Sequence, residues 1–193
     1  MVFASRRCNG TNAGLTYLIE NNKKIIKMPV YLSEEFLEWE CGEFINHRFD
    51  FSIGEHKFLV LFSPIDVSDV GYHALRSEEV GFSLPSDSYD VKFDRLENFE
   101  SDNFYATPKK SDLGGIGGIA YLEELVDALT HIITLHCNTY QAKSYLMLAE
   151  NMRLKQFYDR VLQRSFDEVL SYVATNLGEE GKGYALRTRY YET

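Results

Sequence analysis

A chain of 193 residues, 45% hydrophobic and 14% aromatic, has ample material for one buried core, which excludes a disordered chain. Its formal charge of -9, from 29 acidic against 20 basic residues, argues against general nucleic-acid binding, because phosphate backbones are held by clustered Lys and Arg. Cys8, Cys41 and Cys137 are widely spaced and without CxxC, which excludes a disulfide framework and a zinc knuckle and reads as reduced thiols in a cytoplasmic protein.

The opening MVFASRRCNG lacks the long apolar core of a signal peptide, and no apolar run reaches the length of a membrane span. Residues 2–7 suit a short edge strand, followed by turn signals at Asn9-Gly10 and 12–14. Residues 15–20 and 24–32 are strand-like about Asn21-Asn22, and Pro29 favours an edge or a bulge. Ser33, Glu34 and Glu35 read as a capped helix start, and Phe36, Leu37, Glu40 and Phe44 predict one short helix ending near Asn46. Trp39 falls within it as a core or rim aromatic.

Residues 48–53 and 57–62 predict a hairpin about Gly54-Glu55-His56. The arm FLVLF is apolar on both faces, which predicts a central strand ended by Ser63-Pro64. Further on, 70–77 suits a helical turn, 80–84 and 89–93 are strand candidates, and 94–102 is an acidic loop. Residues 104–107 read as a short strand closed by Pro108. A glycine turn leads into a helix from about Ile119 to His136, with Leu122, Leu125, Val126, Leu129, Ile132 and Ile133 on one face. Residues 144–149 form a second buried strand. Asn151 can cap a helix whose apolar stripe is Leu154, Phe157, Tyr158, Val161, Leu162, Val169, Leu170 and Val173. Residues 178–183 are a break, and 184–190 a final strand.

The fold class is α+β: one domain with a mixed, largely antiparallel central sheet, a β-rich half over 1–107 and a strand–helix–strand–helix–strand half over 104–193. The long helix between 104–107 and 144–149 predicts that these are parallel neighbours, splayed at one end.

Gly114, Gly115, Gly117 and Gly118 stand immediately before a helix, where glycine lets backbone N–H groups approach an anion. The spacing is neither a Rossmann fingerprint nor a Walker motif. A plain loop entering a helix has the same pattern. No Ser or Cys nucleophile motif is present. The five histidines are scattered: His47 and His56 flank the hairpin, His73 stands alone, and His131 and His136 lie about 140° apart on their helix, which is no metal pair.

Here the chain resembles the GNAT family of acyl-CoA-dependent N-acyltransferases over residues 104–160. Ala106-Thr107-Pro108 stands where that family has V-x-P, and Gly115-Ile116-Gly117 stands for the G-x-G of Q/R-x-x-G-x-G/A. Asn151, Leu154, Phe157 and Tyr158 keep the spacing of N-x-x-A-x-x-F-Y. Asp112 or Ser111 replaces the Gln/Arg, with Lys109 and Lys110 nearby. The resemblance implies acetyl-CoA or another acyl-CoA as cofactor, no metal, an amine or protein acceptor, a cofactor site at Thr107, Gly115, Ile116, Gly117, Gly118 and Asn151, and Tyr158 as general acid. It also implies that acceptor amines bind near Glu34, Glu35, Glu38, Glu40 and Glu43, where a solvated surface is the other reading. Tyr158 lies on the apolar stripe as well, the place of a packing residue. The rival function is a non-catalytic accessory, immunity or inhibitor protein on a related fold with a protein partner.

Overall fold

The computed structural model describes residues 28–106, 119–164 and 169–192. Among these, the strands are β1 (Val30–Leu32), β2 (Leu37–Cys41), β3 (Phe44–Ile53), β4 (His56–Pro64), β5 (Ser88–Arg95), β6 (Ser144–Leu148), β7 (Leu170–Leu177) and β8 (Gly183–Thr188). The helices are α1 (Val70–Val80), α2 (Leu96–Glu100), α3 (Ile119–Tyr140) and α4 (Met152–Leu162). The eight strands form one sheet in the order β1-β3-β4-β5-β6-β8-β7, with β2 also paired to β3. All pairs are antiparallel except β5–β6. The fold is therefore α+β with a mixed, mostly antiparallel sheet, as the sequence predicts. No helix among the described residues is long and apolar enough to cross a membrane.

Alternation along each strand separates two faces. Phe49, Phe51, Ile53, Phe58, Val60 and Phe62 join Leu129, Ile132 and Ile133 of α3 and Tyr158 and Val161 of α4 in the main core. Intervening residues face the other way, where Leu146 and Ala185 meet Ile65, Val80 and Leu84 around the end of α1. The β3–β4 hairpin and the central place of β4 agree with expectation, since its residues are buried on both faces. Asp69 caps α1 by accepting from the Tyr72 N–H at 2.9 Å, and Gly81 ends it in the left-handed conformation at φ 78°. Asn151 caps α4 by accepting from the N–H groups of Arg153 and Leu154 at 3.1 and 3.0 Å.

Several expectations are corrected. Residues 33–46 are not a helix: LEWEC alternates with period two, and β2 turns at Gly42 (φ 65°) into β3. Tertiary pairing overrides the cap-like Ser33 and its acids. Residues 80–84 are no strand but the end of α1 and its turn. The acidic stretch 94–102 contains the short helix α2 rather than only loop. Residues 104–106 are a turn, because Tyr105 sits at φ 59° and donates its N–H to Asp94 Oδ2 at 2.7 Å, so no strand ladder can form there. The parallel neighbour of β6 is accordingly β5, not 104–107. The last long helix stops at Leu162, and Leu170 and Val173 belong to β7. The predicted strands at 2–7 and 15–20, and the first part, 24–27, of that at 24–32, lie outside the described residues; the end of the last one is β1, an edge strand just after Pro29. β7, at the opposite edge, shifts register twice along β8.

Ile132 is fully buried between the sheet and the helices. Ile132→Ala should lower stability by about 2–5 kcal/mol, through lost burial and the cavity left behind. Urea unfolding should show this as a lower midpoint with an unchanged slope.

Candidate functional site

Two groups of side chains at opposite ends of the central strands carry features that packing alone does not explain. The first lies where β5 and β6 part. Their ladder runs from Ser88↔Ser144 to Val91↔Met147. It is closed at its start by Ser144 Oγ donating to Ser88 Oγ at 2.7 Å and Lys143 N–H donating to Asp87 O at 2.8 Å. β5 then continues to Arg95 paired with β4 but not with β6, while the chain after β6 stays with β8, Ala149 N–H donating to Lys182 O at 3.1 Å.

The alternation of hydrogen bonding fixes which way β5 points there. Ile65 N–H donates to Ser88 O at 2.9 Å, and bonded and non-bonded pairs alternate along an antiparallel ladder. Counting from that pair, Val91, Phe93 and Arg95 direct their N–H and C=O groups away from β4. Phe93 therefore aims its N–H at the side where β6 pairing has stopped.

Tyr158 of α4 enters this opening. Its side chain is 1% exposed, stacked edge-on to Tyr184 at 5.9 Å, and its hydroxyl is buried without a hydrogen bond. The Phe93 backbone N–H faces the hydroxyl and slightly offsets its pKa, but falls short of hydrogen-bond geometry. Burial, with Tyr105 adding to it, raises the phenol pKa well above its ordinary value, so the proton stays on at neutral pH. A buried polar group without a partner costs about 1–3 kcal/mol.

Asp94 brings the next segment to the same end of β5. Its Oδ1 accepts from Arg95 N–H and from Asn98 Nδ2, both at 2.7 Å, and Oδ2 accepts from Tyr105 N–H. Asn98 Nδ2 also donates to Ala106 O at 3.1 Å. The start of α3 stands by the same strand ends, with Tyr121 6.5 Å from the Phe58 ring and 5.8 Å from the His56 ring. Thus both flanks of 107–118 are held at the open end of the β5–β6 pair. Thr107, Gly115, Ile116, Gly117 and Gly118 lie outside the described residues. Asn151 serves as the helix cap described above. Nearby, a polar cleft of about 180 Å³ is lined by Glu55, His56, Arg95 and Glu97, with the last two ion-paired.

The second group joins histidines that the sequence leaves scattered. His47 Nδ1 and His136 Nε2 are 2.8 Å apart, and His136 Nδ1 is 2.8 Å from Tyr145 Oη. One facing nitrogen carries a proton and the other accepts it. His136 is fully buried and stacked on Phe62 at 3.7 Å; His47 stacks on Tyr140 at 3.7 Å, and Tyr140 donates to Glu38 Oε1 at 2.7 Å. Burial, with His47 beside it, lowers the His136 pKa to about 2. Burial also lowers that of His47, against the opposing pull of Glu38. Tyr89, pushed up to about 12 by burial, closes the pocket edge-on to His136 at 4.8 Å. The signal for this pair was periodic. His47 continues the inward set Phe49, Phe51, Ile53, and His136 continues the stripe Leu129, Ile132, Ile133. His131 is exposed, and His73 is bound to Leu84 O at 2.6 Å. Glu34, Glu35, Glu40 and Glu43 are exposed on a bend and hairpin rather than a helix.

Among the described residues, no three His, Cys, Asp or Glu side chains are grouped to hold a metal ion. No protein-family model matches the chain, and neither a curated protein nor a solved structure is significantly similar to it.

The histidine pair sets a pH dependence. A neutral pair with lowered pKa values contributes stability that is fully present above the ordinary value of 6.5 and is lost as pH falls below it. The wild-type urea midpoint should fall below pH 6.5, and in His136→Gln that fall should be shallower by close to one proton, about 1.4 kcal/mol per pH unit.

Proposed function

We propose that the chain is a GNAT-like N-acyltransferase, moving an acyl group from acyl-CoA to an amine, and that the opening between β5 and β6 is its reaction centre. The observation that carries this reading is the buried, unpartnered hydroxyl of Tyr158 beside the outward-turned Phe93 N–H. A parallel strand pair joined through a helix and open at one end supports it, as does the Asn151 cap of the helix bearing Tyr158. The cap at Asn151 and the place of Tyr158 support the family spacing read between them. Residues 104–106 are a turn, so on this reading β5, which ends some ten residues before Ala106, stands in for the V-x-P strand.

On this reading the Phe93 N–H donates to the thioester carbonyl oxygen, stabilising the charge that develops as the amine nitrogen attacks the carbonyl carbon. The carbon–sulfur bond then breaks, and Tyr158 gives its proton to the departing thiolate. The attacking amine loses its own proton to a carboxylate or water. Asn151 fixes the first turn of α4, and so the reach of Tyr158. The backbone N–H groups of Gly115, Ile116, Gly117 and Gly118, with Thr107 ahead of them, hold the cofactor's phosphates.

The second reading, a non-catalytic protein-binding module, is favoured by Tyr31, Leu37 and Trp39. Their partners in β3 are Ser52, Arg48 and Asn46, which places all three on one face of the sheet edge, 46%, 52% and 37% exposed.

Acetyl-CoA at a hundredfold excess over its Kd should stabilise the protein by about 2.7 kcal/mol, read as a raised Tm. Gly117→Val should abolish that shift while the protein stays folded. Tyr158→Phe should reduce acyl transfer roughly 10²-fold or more with cofactor affinity unchanged. Because the hydroxyl has no partner to lose, its Tm should equal or exceed that of the wild type. No calorimetric binding of millimolar acetyl-CoA would reject the acyltransferase reading, and unchanged turnover in the Phe variant would reject the role of Tyr158.

A further inference from the structure

Arg187 of β8 lies on the other face of the sheet. Along that strand Tyr184 and Leu186 belong to the α3–α4 core, whereas Ala185, and with it Arg187, faces the α1 side. Its Cζ is 4.4 Å from the ring centroid of Tyr172, 4.9 Å from Tyr191 and 5.3 Å from Phe82. The three rings come from separate stretches: the turn after α1, β7 and the C-terminal turn. Phe82 stands perpendicular to Tyr191 at 5.5 Å, and edge-on to Tyr172 at 6.1 Å. Tyr191 Oη donates to Ser83 O at 2.7 Å, which ties the last wall to the first.

The guanidinium held in this cage has no hydrogen-bonding or ionic partner among the described residues, and its Nε is buried without one. Nη1 and Nη2 are not sealed in this way, and the residue as a whole is half-buried. Carboxylates are not scarce: 29 acids face 20 bases, Arg48 and Arg95 each hold one, and Arg76 holds two. Aromatic faces stabilise a cation and fix its plane, but they satisfy none of its five donors.

We infer that this cage is a binding site for a small carboxylic acid carried on an apolar or aromatic body. The planar fork matches a carboxylate through two parallel N–H···O bonds, and a lysine would not reproduce that geometry. The rings supply apolar surface for the body, Tyr172 being 42% exposed. A net charge of -9 opposes a dianion more than a monoanion, which favours a carboxylate over a phosphate. The site is on the opposite face from Tyr158, so it does not rest on the acyltransferase reading.

The test is calorimetric titration of the full chain at low ionic strength with benzoate, acetate and inorganic phosphate. Benzoate should bind at millimolar concentration, more tightly than acetate or phosphate, and added salt should weaken it. Arg187→Gln should weaken benzoate binding at least about tenfold, a loss of roughly 1.4 kcal/mol. Arg187→Lys should not restore it. Tyr172→Ala, at an exposed position that leaves folding intact, should weaken benzoate while leaving acetate little changed. Absence of benzoate binding, equal binding by wild type and Arg187→Gln, or phosphate binding as tightly as benzoate would each overturn the assignment. If Arg187→Gln does not fold, unchanged benzoate binding by Tyr172→Ala overturns it as well.

Discussion

The architecture depends on one constraint: the backbone N–H and C=O groups of β5 need partners on both sides, and past Val91 β6 stops supplying them. Before that point the two strands are sealed by a complete ladder and by the Ser88–Ser144 hydroxyl bond. After it, β6 follows β8, α4 starts at its Asn151 cap, and Asp94 holds Tyr105, and through Asn98 also Ala106, across the strand end. The position of Tyr158 is a consequence of these choices. Its ring has the packing of a core residue, while its hydroxyl is delivered to the stretch of β5 that β6 no longer pairs.

Legibility in the sequence followed how much of each element's pattern was local. The β3–β4 hairpin announced itself by its turn and by FLVLF, and α3 by the consistent spacing of its apolar residues from Leu122 to Ile133, because burial on a single face repeats in the chain. Residues 33–46 misled because an acid-rich start after Ser33 resembles a helix cap, whereas the alternation in LEWEC carries the information that pairing with β3 makes decisive. Residues 104–106 misled for another reason: what shapes them is the carboxylate of Asp94, which accepts from the Tyr105 N–H eleven residues further on. The Asn151–Tyr158 spacing was readable because it lies within one helix and its cap. The His47–His136 contact and the Arg187 cage were not, since each joins segments far apart in sequence.

The sheet also keeps dissimilar chemistries apart. On the α3–α4 face, two imidazoles and several phenols are buried in neutral form, joined to one another and to Glu38 at the rim. On the α1 face, charge is kept but screened by rings, as at Arg187, or paired, as in Arg76 with Glu79 and Asp90. A chain with so large an excess of acids can afford neither an unpaired carboxylate in its core nor a continuous acidic face, and the alternation of strands distributes its charges accordingly.

The two edges of the sheet share a property that matters when many copies meet. One edge is split into β1 and β2, which are separated by the bend at 33–36 and preceded by Pro29. The other, β7, is broken by two irregularities along β8. A foreign strand can add only where an edge presents a long, regular row of N–H and C=O groups. Among the described residues neither edge offers one, so the exposed side chains Tyr31, Leu37 and Trp39 stand at an edge that gives little hold for open-ended strand-to-strand polymerisation.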